Sequence, residues 1–277
     1  MQRNTIVERL KRSPSAPARL LCGFVWSLRN TIRHRSPVLI YQRADGSYVN
    51  QRREVTFVSP DVHAWSYRAI VERVRDEWLG EWDLGHGTTI LDVGAGIGDE
   101  VVVFSRAAGP DGRVIAVEAH PATCAILRET VRINKLSNVS VVECAAAELP
   151  GSFSMSTGDS HLAAQLIANG QGDQVDVVAK PIPALLDELG IATVDFLKMN
   201  IEGAELPALR GCIGQFHRIR RIVVSCHDFI AEVRPEESWM KTYDEVIQLL
   251  SSNGYRVAAG RQDPRPWVRY YVYATRA

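Results

Sequence analysis

From Thr88 onward, short apolar runs alternate with longer segments in which apolar residues recur every three or four positions. The short runs are rich in β-branched residues, which is typical of buried strands, and the longer segments have the period of amphipathic helices. The pattern predicts strands at 88–94, 113–119, 139–145, 174–179, 194–201 and 220–226, and helices at 99–108, 121–135, 181–190, 203–211 and 239–253. Strands that alternate with helices predict a parallel sheet covered on both faces.

The last two predicted strands depart from this alternation. Residues 254–259 and 267–274 are joined by a segment too short to hold a crossover helix. We therefore expect these strands to pair antiparallel. The predicted fold class is α/β, with a mostly parallel sheet and an antiparallel last strand.

The first 85 residues follow a different pattern. It predicts a short apolar helix at 20–28, a hairpin at 37–49, a strand at 55–61 and a helix at 62–80. Ser59 to Asp61 is the expected cap of the last helix. We divide the chain into an N-terminal α+β extension, residues 1–85, and a sheet domain, residues 86–277.

Charge and cysteine content narrow the range of partners. The 277 residues hold 32 Lys and Arg against 32 Asp and Glu, so the chain has no overall field that would attract nucleic acid, and we expect none as a partner. The five cysteines show no C-x-x-C spacing, which indicates reduced thiols in a cytoplasmic protein.

The apolar run 20–28 follows a basic stretch and superficially imitates a signal peptide. It has no small-residue cleavage site and is too short to span a bilayer. We expect an amphipathic helix that packs on the protein, with peripheral contact to a membrane surface as the second possibility.

A glycine-rich turn, "LDVGAGIGDE" (91–100), joins the first predicted strand of the sheet domain to its helix. Gly94, Gly96 and Gly98 let the backbone turn tightly and approach a ligand at a helix N-terminus. Glu118 ends the next strand, where a carboxylate can accept hydrogen bonds from ribose hydroxyls. A dinucleotide site would need its third glycine where Asp99 stands. The turn therefore predicts a nucleotide site with Gly-x-Gly-x-Gly spacing.

A second polar cluster follows the strand at 194–201. Asn200 and Glu202 lie at its carboxyl end, where ligands gather in such sheets. If the strand at 220–226 lies beside it, His227 and Asp228 reach the same edge. These side chains are therefore candidates for the chemistry of the site.

Two charged residues of the strand at 194–201 need a separate explanation. Asp195 opens the strand, about 17 Å from the far end, and is expected to be structural. Lys198 lies within the apolar run, and a buried lysine needs an anionic partner. A structural ion pair and a role in positioning substrate are both open for Lys198.

Two stretches carry a resemblance to a known family. "LDVGAGIG" followed by "VEAHP" resembles motif I and its acidic successor in class I S-adenosylmethionine-dependent methyltransferases. "DFLKMNIEGAE" looks like the hallmark D-x-x-K-x-D-x-E-G-x-E of the FkbM family, except that Asn200 replaces the second aspartate. The resemblance covers roughly residues 87–228. It implies a Rossmann-like sheet and an O-methyltransferase that acts on a hydroxyl of a sugar, glycoside or natural product.

The same resemblance implies the cofactor and its contacts. S-adenosylmethionine would lie with its methionine part at the glycine turn, its ribose on Glu118 and its adenine beside the next two strand ends. The implied cofactor-binding residues are Asp92, Gly94, Ala95, Gly96, Gly98, Glu118, Ala119, His120, Cys144 and Ala145.

Two mechanisms would activate the acceptor hydroxyl, with His227, Glu202, Asn200 and Lys198 as candidate catalytic residues. In the first, His227 takes the proton. In the second, Glu202, Asn200 and Asp228 hold Mg²⁺, although asparagine brings a metal no charge. We expect residues 1–85 and 150–173 to supply the acceptor surface, with His161 as a further candidate on a lid.

Two other functions stay open from the sequence. A nicotinamide-dependent oxidoreductase would share the sheet, and only the glycine spacing and the antiparallel ending oppose it. A non-catalytic S-adenosylmethionine-binding protein would explain Asn200, although the retention of Lys198, Glu202, Glu205 and His227 opposes that interpretation.

Overall fold

The computed structural model describes residues 16–62, 65–156, 174–259 and 263–276. The helices are α1 Ala16–His34, α2 Tyr67–Arg73, α3 Asp99–Ala108, α4 Pro121–Ile133, α5 Ile182–Glu188, α6 Glu205–Arg210, α7 Asp228–Val233 and α8 Tyr243–Ser252. The strands are β1 Val38–Gln42, β2 Tyr48–Arg52, β3 Thr56–Ser59, β4 Thr89–Val93, β5 Arg113–Glu118, β6 Val139–Glu143, β7 Ala145–Ala146, β8 Gly151–Ser156, β9 Gln174–Lys180, β10 Phe196–Met199, β11 Arg221–Ser225, β12 Tyr255–Ala259 and β13 Tyr271–Arg276.

A seven-stranded sheet organises the chain, in the order β12-β13-β11-β10-β4-β5-β6. Strands β11, β10, β4, β5 and β6 run parallel to one another. Strand β13 is antiparallel to both β11 and β12. The predicted α/β fold class, mostly parallel with an antiparallel last strand, is confirmed.

Side chains of this sheet alternate between two cores because successive residues of a strand face opposite sides. The core on one face contains Leu91, Ile115, Leu197 and Ile222. The core on the other face contains Ile90, Val114, Phe196 and Val223. The second core also takes in Phe57, Ile70 and Trp78 from the N-terminal residues, and the division of the chain at residue 85 stays a prediction.

A separate three-stranded sheet, in the order β7-β9-β8, corrects three expectations. The strand predicted at 139–145 is two strands, because the chain leaves the central sheet after Glu143. The residues at 150–173, expected to be irregular, begin with β8. The strand predicted at 174–179 pairs antiparallel with β8 and not with the parallel sheet. The strict alternation in "GSFSMS" (151–156) was a signal for β8.

The N-terminal hairpin was predicted, and α1 is longer than the sequence indicated. Strands β1, β2 and β3 form an antiparallel sheet. Helix α1 lies along the outer edge of β1: Ile40 N donates to Ser27 Oγ at 2.8 Å, and Val38 N donates to Thr31 Oγ1 at 3.0 Å. A Cβ at Gly23 would lie 2.7 Å from the Ile40 carbonyl oxygen. The helix therefore satisfies the edge of β1 and is fixed against it.

The predicted cap of the helix at 62–80 was wrong. Helix α2 begins after Ser66, whose Oγ accepts a hydrogen bond from Ala69 N at 3.1 Å. The helix then widens into a π-helical turn, Val74–Leu79, and ends at Gly80. Ser59 instead hydrogen-bonds locally to the Asp61 carbonyl.

Candidate active site

Three glycines shape the turn between β4 and α3, and each has a positive φ. A Cβ at Gly94 would lie 2.0 Å from the Asn200 carbonyl oxygen, and a Cβ at Gly98 would lie 2.6 Å from Leu127 Cδ1. A Cβ at Gly96 would meet nothing within 4 Å. Gly94 and Gly98 therefore allow close packing, whereas Gly96 exposes its backbone to open space beside the turn.

Glu118 joins the ends of β4 and β5. Its Oε2 accepts a hydrogen bond from Gly96 N at 2.9 Å, and its Oε1 accepts one from His120 N at 2.9 Å. The side chain is half-buried. Each carboxylate oxygen can accept a further bond. Glu118 thus orders the glycine turn and keeps acceptor capacity for a ligand.

A cleft opens at the carboxyl ends of β4, β5 and β10. Its empty space, including the open solvent at its mouth, is about 830 Å³. Its walls are formed by Val93, Gly94, Gly96, Val117, Glu118, Ala119, Cys144, Ala145, Ala146, Met155, Asn200, Ile201, Glu202 and Ala204.

Most of the predicted cofactor residues meet at this cleft. Gly94, Gly96, Glu118, Ala119, Cys144 and Ala145 line it. Asp92, Ala95, Gly98 and His120 do not line it and support the turn or the helices behind it. Sequence reasoning missed Met155, which β8 brings into the wall.

Lys198 lies beneath the glycine turn and not in the cleft. Strand register places it beside Asp92, and its Nζ is 2.9 Å from Asp92 Oδ1. The same Nζ lies 3.1 Å from Glu100 Oε2 and donates to the Gly94 carbonyl at 2.9 Å. Only 1% of the side chain is exposed. The sequence left two roles open for Lys198. Its observed contacts are those of a structural ion pair.

The surroundings of Asp92 and Lys198 shift the pKa values of both side chains. Burial raises the pKa of Asp92 to about 6, with Lys198 acting in the opposite direction. Burial alone would lower the pKa of Lys198, but the carboxylates of Asp92 and Glu100 raise it instead. Lys198 is therefore a fixed cation below the turn.

Further residues that the sequence did not single out complete this network. Trp78 Nε1 donates to Glu100 Oε1 at 2.6 Å, and the Trp78 ring centroid lies 5.0 Å from Lys198 Nζ. Arg73 lies 2.9 Å from Asp99 and 3.1 Å from Glu100. The turn and the start of α3 are thus tied to α2.

Asn200 and Glu202 lie on the cleft side, directly after β10. Glu202 has a φ of 50°, a strained value for a residue with a side chain. Burial raises the pKa of Glu202 to about 7, although His227 acts in the opposite direction. The neighbouring carboxylates of Glu205 and Glu118 also raise this pKa. A carboxyl group that titrates near neutral pH faces the cleft.

His227 is held by a carboxylate behind the cleft wall. Its Nδ1 lies 2.7 Å from Glu205 Oε1, and Glu205 is fully buried. Glu205 also accepts hydrogen bonds from Gly203 N at 3.0 Å and from the Thr242 hydroxyl at 3.3 Å. Nδ1 is therefore the ring nitrogen that donates to Glu205, which leaves Nε2 as an acceptor in the neutral ring and as a second donor in the protonated ring. His227 itself does not line the cleft.

The predicted Mg²⁺ site gains no support. Asp228 Oδ2 accepts hydrogen bonds from Thr242 N at 3.1 Å and Tyr243 N at 3.2 Å, so this carboxylate caps α8. Within the described ranges, no group of three or more His, Cys, Asp or Glu is placed to hold a metal ion. Asp228, which was predicted to bind Mg²⁺, instead accepts hydrogen bonds from the backbone at the start of α8.

Of the remaining residues that the sequence singled out, Asp195 and the cysteines lie in the described part of the chain. Asp195 accepts a hydrogen bond from Thr89 N at 2.9 Å, in agreement with a structural role. The five cysteines are buried thiols, and burial raises the pKa of Cys144, in the cleft wall, to about 11. His161 lies outside the described residues.

Comparisons with known proteins point to one activity. The family model for "Methyltransferase FkbM domain" matches residues 92–257. A "Methyltransferase 1" of Beauveria bassiana is 25% identical over 201 residues, which are 64% of this chain and 76% of that protein. A probable cobalt-precorrin-6B C(15)-methyltransferase (decarboxylating) of Thermoplasma volcanium is 30% identical over 114 residues, which are 41% of this chain and 54% of that protein.

Two solved structures are similar to this chain at low identity. A methyltransferase FkbM from Methylobacillus flagellatus is 20% identical with a TM-score of 0.46, over 68% of this chain and 44% of that one. The chain therefore spans less than half of that protein. A fibrillarin from Aeropyrum pernix with bound S-adenosyl-L-methionine is 17% identical with a TM-score of 0.49, over 86% of this chain and 94% of that one.

Proposed function

This chain belongs to the FkbM family of S-adenosylmethionine-dependent methyltransferases, and from that premise we propose that it methylates a hydroxyl of a sugar, glycoside or natural product. The observation that carries the proposal is the cleft at the carboxyl ends of β4, β5 and β10. The lining of this cleft includes both the glycines of a nucleotide-type turn and Glu202, a carboxyl group with a pKa of about 7. The family decides against the nicotinamide-dependent oxidoreductase.

The groups that line the cleft suit the chemistry of the cofactor. The space at Gly96 admits a ligand against the backbone, and the N-terminus of α3 favours a carboxylate such as that of the methionine part. Glu118 has oxygen lone pairs for the two ribose hydroxyls. Ala119, Cys144 and Ala145 form an apolar wall for the adenine ring.

Bound S-adenosylmethionine supplies an electrophilic methyl group on a sulfonium. The protein must orient the acceptor hydroxyl toward that methyl and remove its proton, because a hydroxyl is hardly ionised at neutral pH. We place Glu202 in this second role. It lines the cleft, and its pKa suits proton abstraction near neutrality. Asn200, beside it, can donate a hydrogen bond to the acceptor.

The sequence argument had placed His227 first as the base. In this proposal His227 is a positioning residue: His227 lowers the pKa of Glu202, whereas the carboxylate of Glu205, which holds His227 at 2.7 Å, raises it. The alternative keeps His227 Nε2 as the base. Glu202→Gln and His227→Gln separate the two, because only the base defines the acid limb of the pH profile of kcat/KM.

Trp239 supports a ring-bearing acceptor. A Cβ at Gly203 would lie 2.5 Å from the Trp239 ring, so the ring packs directly beside the residue that follows Glu202. Trp239 is 45% exposed. This flat, partly exposed aromatic face lies against Gly203, outside the residues that line the cleft, and is suited to packing against a sugar or another ring.

Two measurements test the proposal in sequence. Calorimetry with S-adenosylhomocysteine, with NAD as the control ligand, tests the cofactor. Transfer of a labelled methyl group to a panel of glycosides and hydroxylated natural products then tests the reaction. Cofactor binding without transfer to any hydroxyl in the panel would favour the non-catalytic binding protein.

A further inference from the structure

Helix α1 presents an exposed apolar face to the surroundings. Leu20, Phe24, Leu28 and Ile32 recur every four residues and therefore share one side of the helix. Their exposed fractions are 72%, 67%, 51% and 69%, and Leu21 beside them is 51% exposed. Four large side chains in one stripe of about 18 Å are more than the isolated exposed apolar residues normal on a protein surface.

The exposed stripe does not mean that α1 is unpacked. The opposite side of α1 is already occupied, with Ser27 and Thr31 bonded to the edge of β1 and Cys22 buried. The outward stripe is therefore held in a fixed orientation by the inward contacts.

The charge around the stripe indicates what covers it. No Asp or Glu occurs between Glu8 and Asp45, whereas residues 1–36 hold eight Lys or Arg. Arg29 and Arg33 on α1 and Arg35 directly after it are exposed. The chain as a whole has a formal charge of zero, so the positive charge is concentrated at this end.

We propose that α1 docks the protein on an anionic membrane surface, with the Leu20–Ile32 stripe inserted at the headgroup boundary and the arginines on lipid phosphates. No helix among the described residues is long and apolar enough to cross a bilayer, and this docking requires none. A second copy of the chain fits less well, because the same excess of positive charge would meet itself. The proposal does not depend on the acceptor or on the catalytic base.

Flotation with vesicles tests the docking on the full chain. We expect binding to phosphatidylcholine vesicles that contain phosphatidylglycerol, weak binding to pure phosphatidylcholine, and release by salt. Phe24→Ser/Leu28→Ser should lower the partition coefficient at least about tenfold. Arg29→Gln and Arg33→Gln should each lower it roughly fivefold.

Leu149→Ser/Val233→Ser is the matched control, since these residues are 70% and 81% exposed elsewhere. It should bind vesicles as the wild type does, and S-adenosylhomocysteine binding should show that each variant is folded. Absence of binding to anionic vesicles, or equal losses in the control, would overturn the proposal. Self-association that Phe24→Ser/Leu28→Ser abolishes, without vesicle binding, would assign the stripe to a second copy.

Discussion

Lys198 and Glu202 lie four residues apart, on and just beyond the same strand, yet their surroundings are opposite. Lys198 is fully buried and meets two carboxylates and a backbone carbonyl. Glu202 is partly buried beside other carboxylates, and its pKa rises to about 7. A buried charge with close counter-charges stabilises one arrangement of the chain. A carboxyl group whose neighbours oppose its ionisation is ready to exchange a proton.

The largest effect is expected at Glu202. Glu202→Gln keeps the shape but cannot accept a proton, so turnover should fall by about 10²–10⁴-fold while the affinity for S-adenosylhomocysteine changes little. Labelled-methyl assays and calorimetry measure the two quantities. Glu236→Gln, at an exposed position, is the matched control. Near-normal turnover in Glu202→Gln would remove Glu202 from the reaction.

The same variant should not be less stable than the wild type. The pKa of Glu202 in the folded chain is above its ordinary value, so its contribution to stability falls as the pH rises from about 4.5 through 7. Glutamine removes this dependence. Urea unfolding at pH 8 should therefore give Glu202→Gln an equal or higher free energy of unfolding.

Lys198→Met tests the other half of the comparison. It leaves Asp92 and Glu100 buried without their shared cation and should lower the free energy of unfolding by about 3–5 kcal/mol. Lys180→Met removes an exposed pair with Glu188 and should change the free energy of unfolding far less, because water screens an exposed ion pair. Equal losses in the two variants, measured by urea unfolding, would contradict the assignment of Lys198 to the structure.

A smaller effect is expected for Glu118→Ala. Loss of charge-assisted hydrogen bonds to the ribose should weaken S-adenosylhomocysteine binding by about 1.5–3 kcal/mol in calorimetry. Glu148→Ala is the control, since Glu148 is exposed and does not line the cleft. Undiminished affinity in Glu118→Ala would exclude the ribose contact.

The smallest effect is expected for Trp239→Ala, which should raise the KM of the acceptor by about two- to tenfold and leave cofactor affinity unchanged. Trp267→Ala, which removes another partly exposed tryptophan, should leave both unchanged. A change in cofactor affinity without a change in the KM of the acceptor would assign Trp239 to cofactor binding and contradict its role at the acceptor.

The sequence predicted features that depend on neighbouring residues, but not contacts between segments that are far apart along the chain. Alternation along the chain predicted the sheet, and strand ends predicted Asn200 and Glu202 at the cleft. Local spacing could not show that β10 pairs with β4 in the register that sets Lys198 beside Asp92. It also could not show that β8 folds back to bring Met155 into the wall.

The side-chain contacts of His227 and Asp228 were harder to predict from the sequence. His227 was placed correctly at the end of its strand, but its side chain lies against Glu205 and not in the cleft wall. Asp228 follows the same strand and caps α8. Both outcomes depend on how α6, α7 and α8 pack, which no periodicity in the sequence encodes.

The pH profile of kcat/KM tests the central claim most directly. With Glu202 as the base, kcat/KM of the wild type should rise with pH through about 7, because the carboxylate must be deprotonated. The limb should disappear in Glu202→Gln and move to higher pH in His227→Gln, because His227 lowers the pKa of Glu202. A limb that persists in Glu202→Gln and disappears in His227→Gln would contradict the account and make His227 the base.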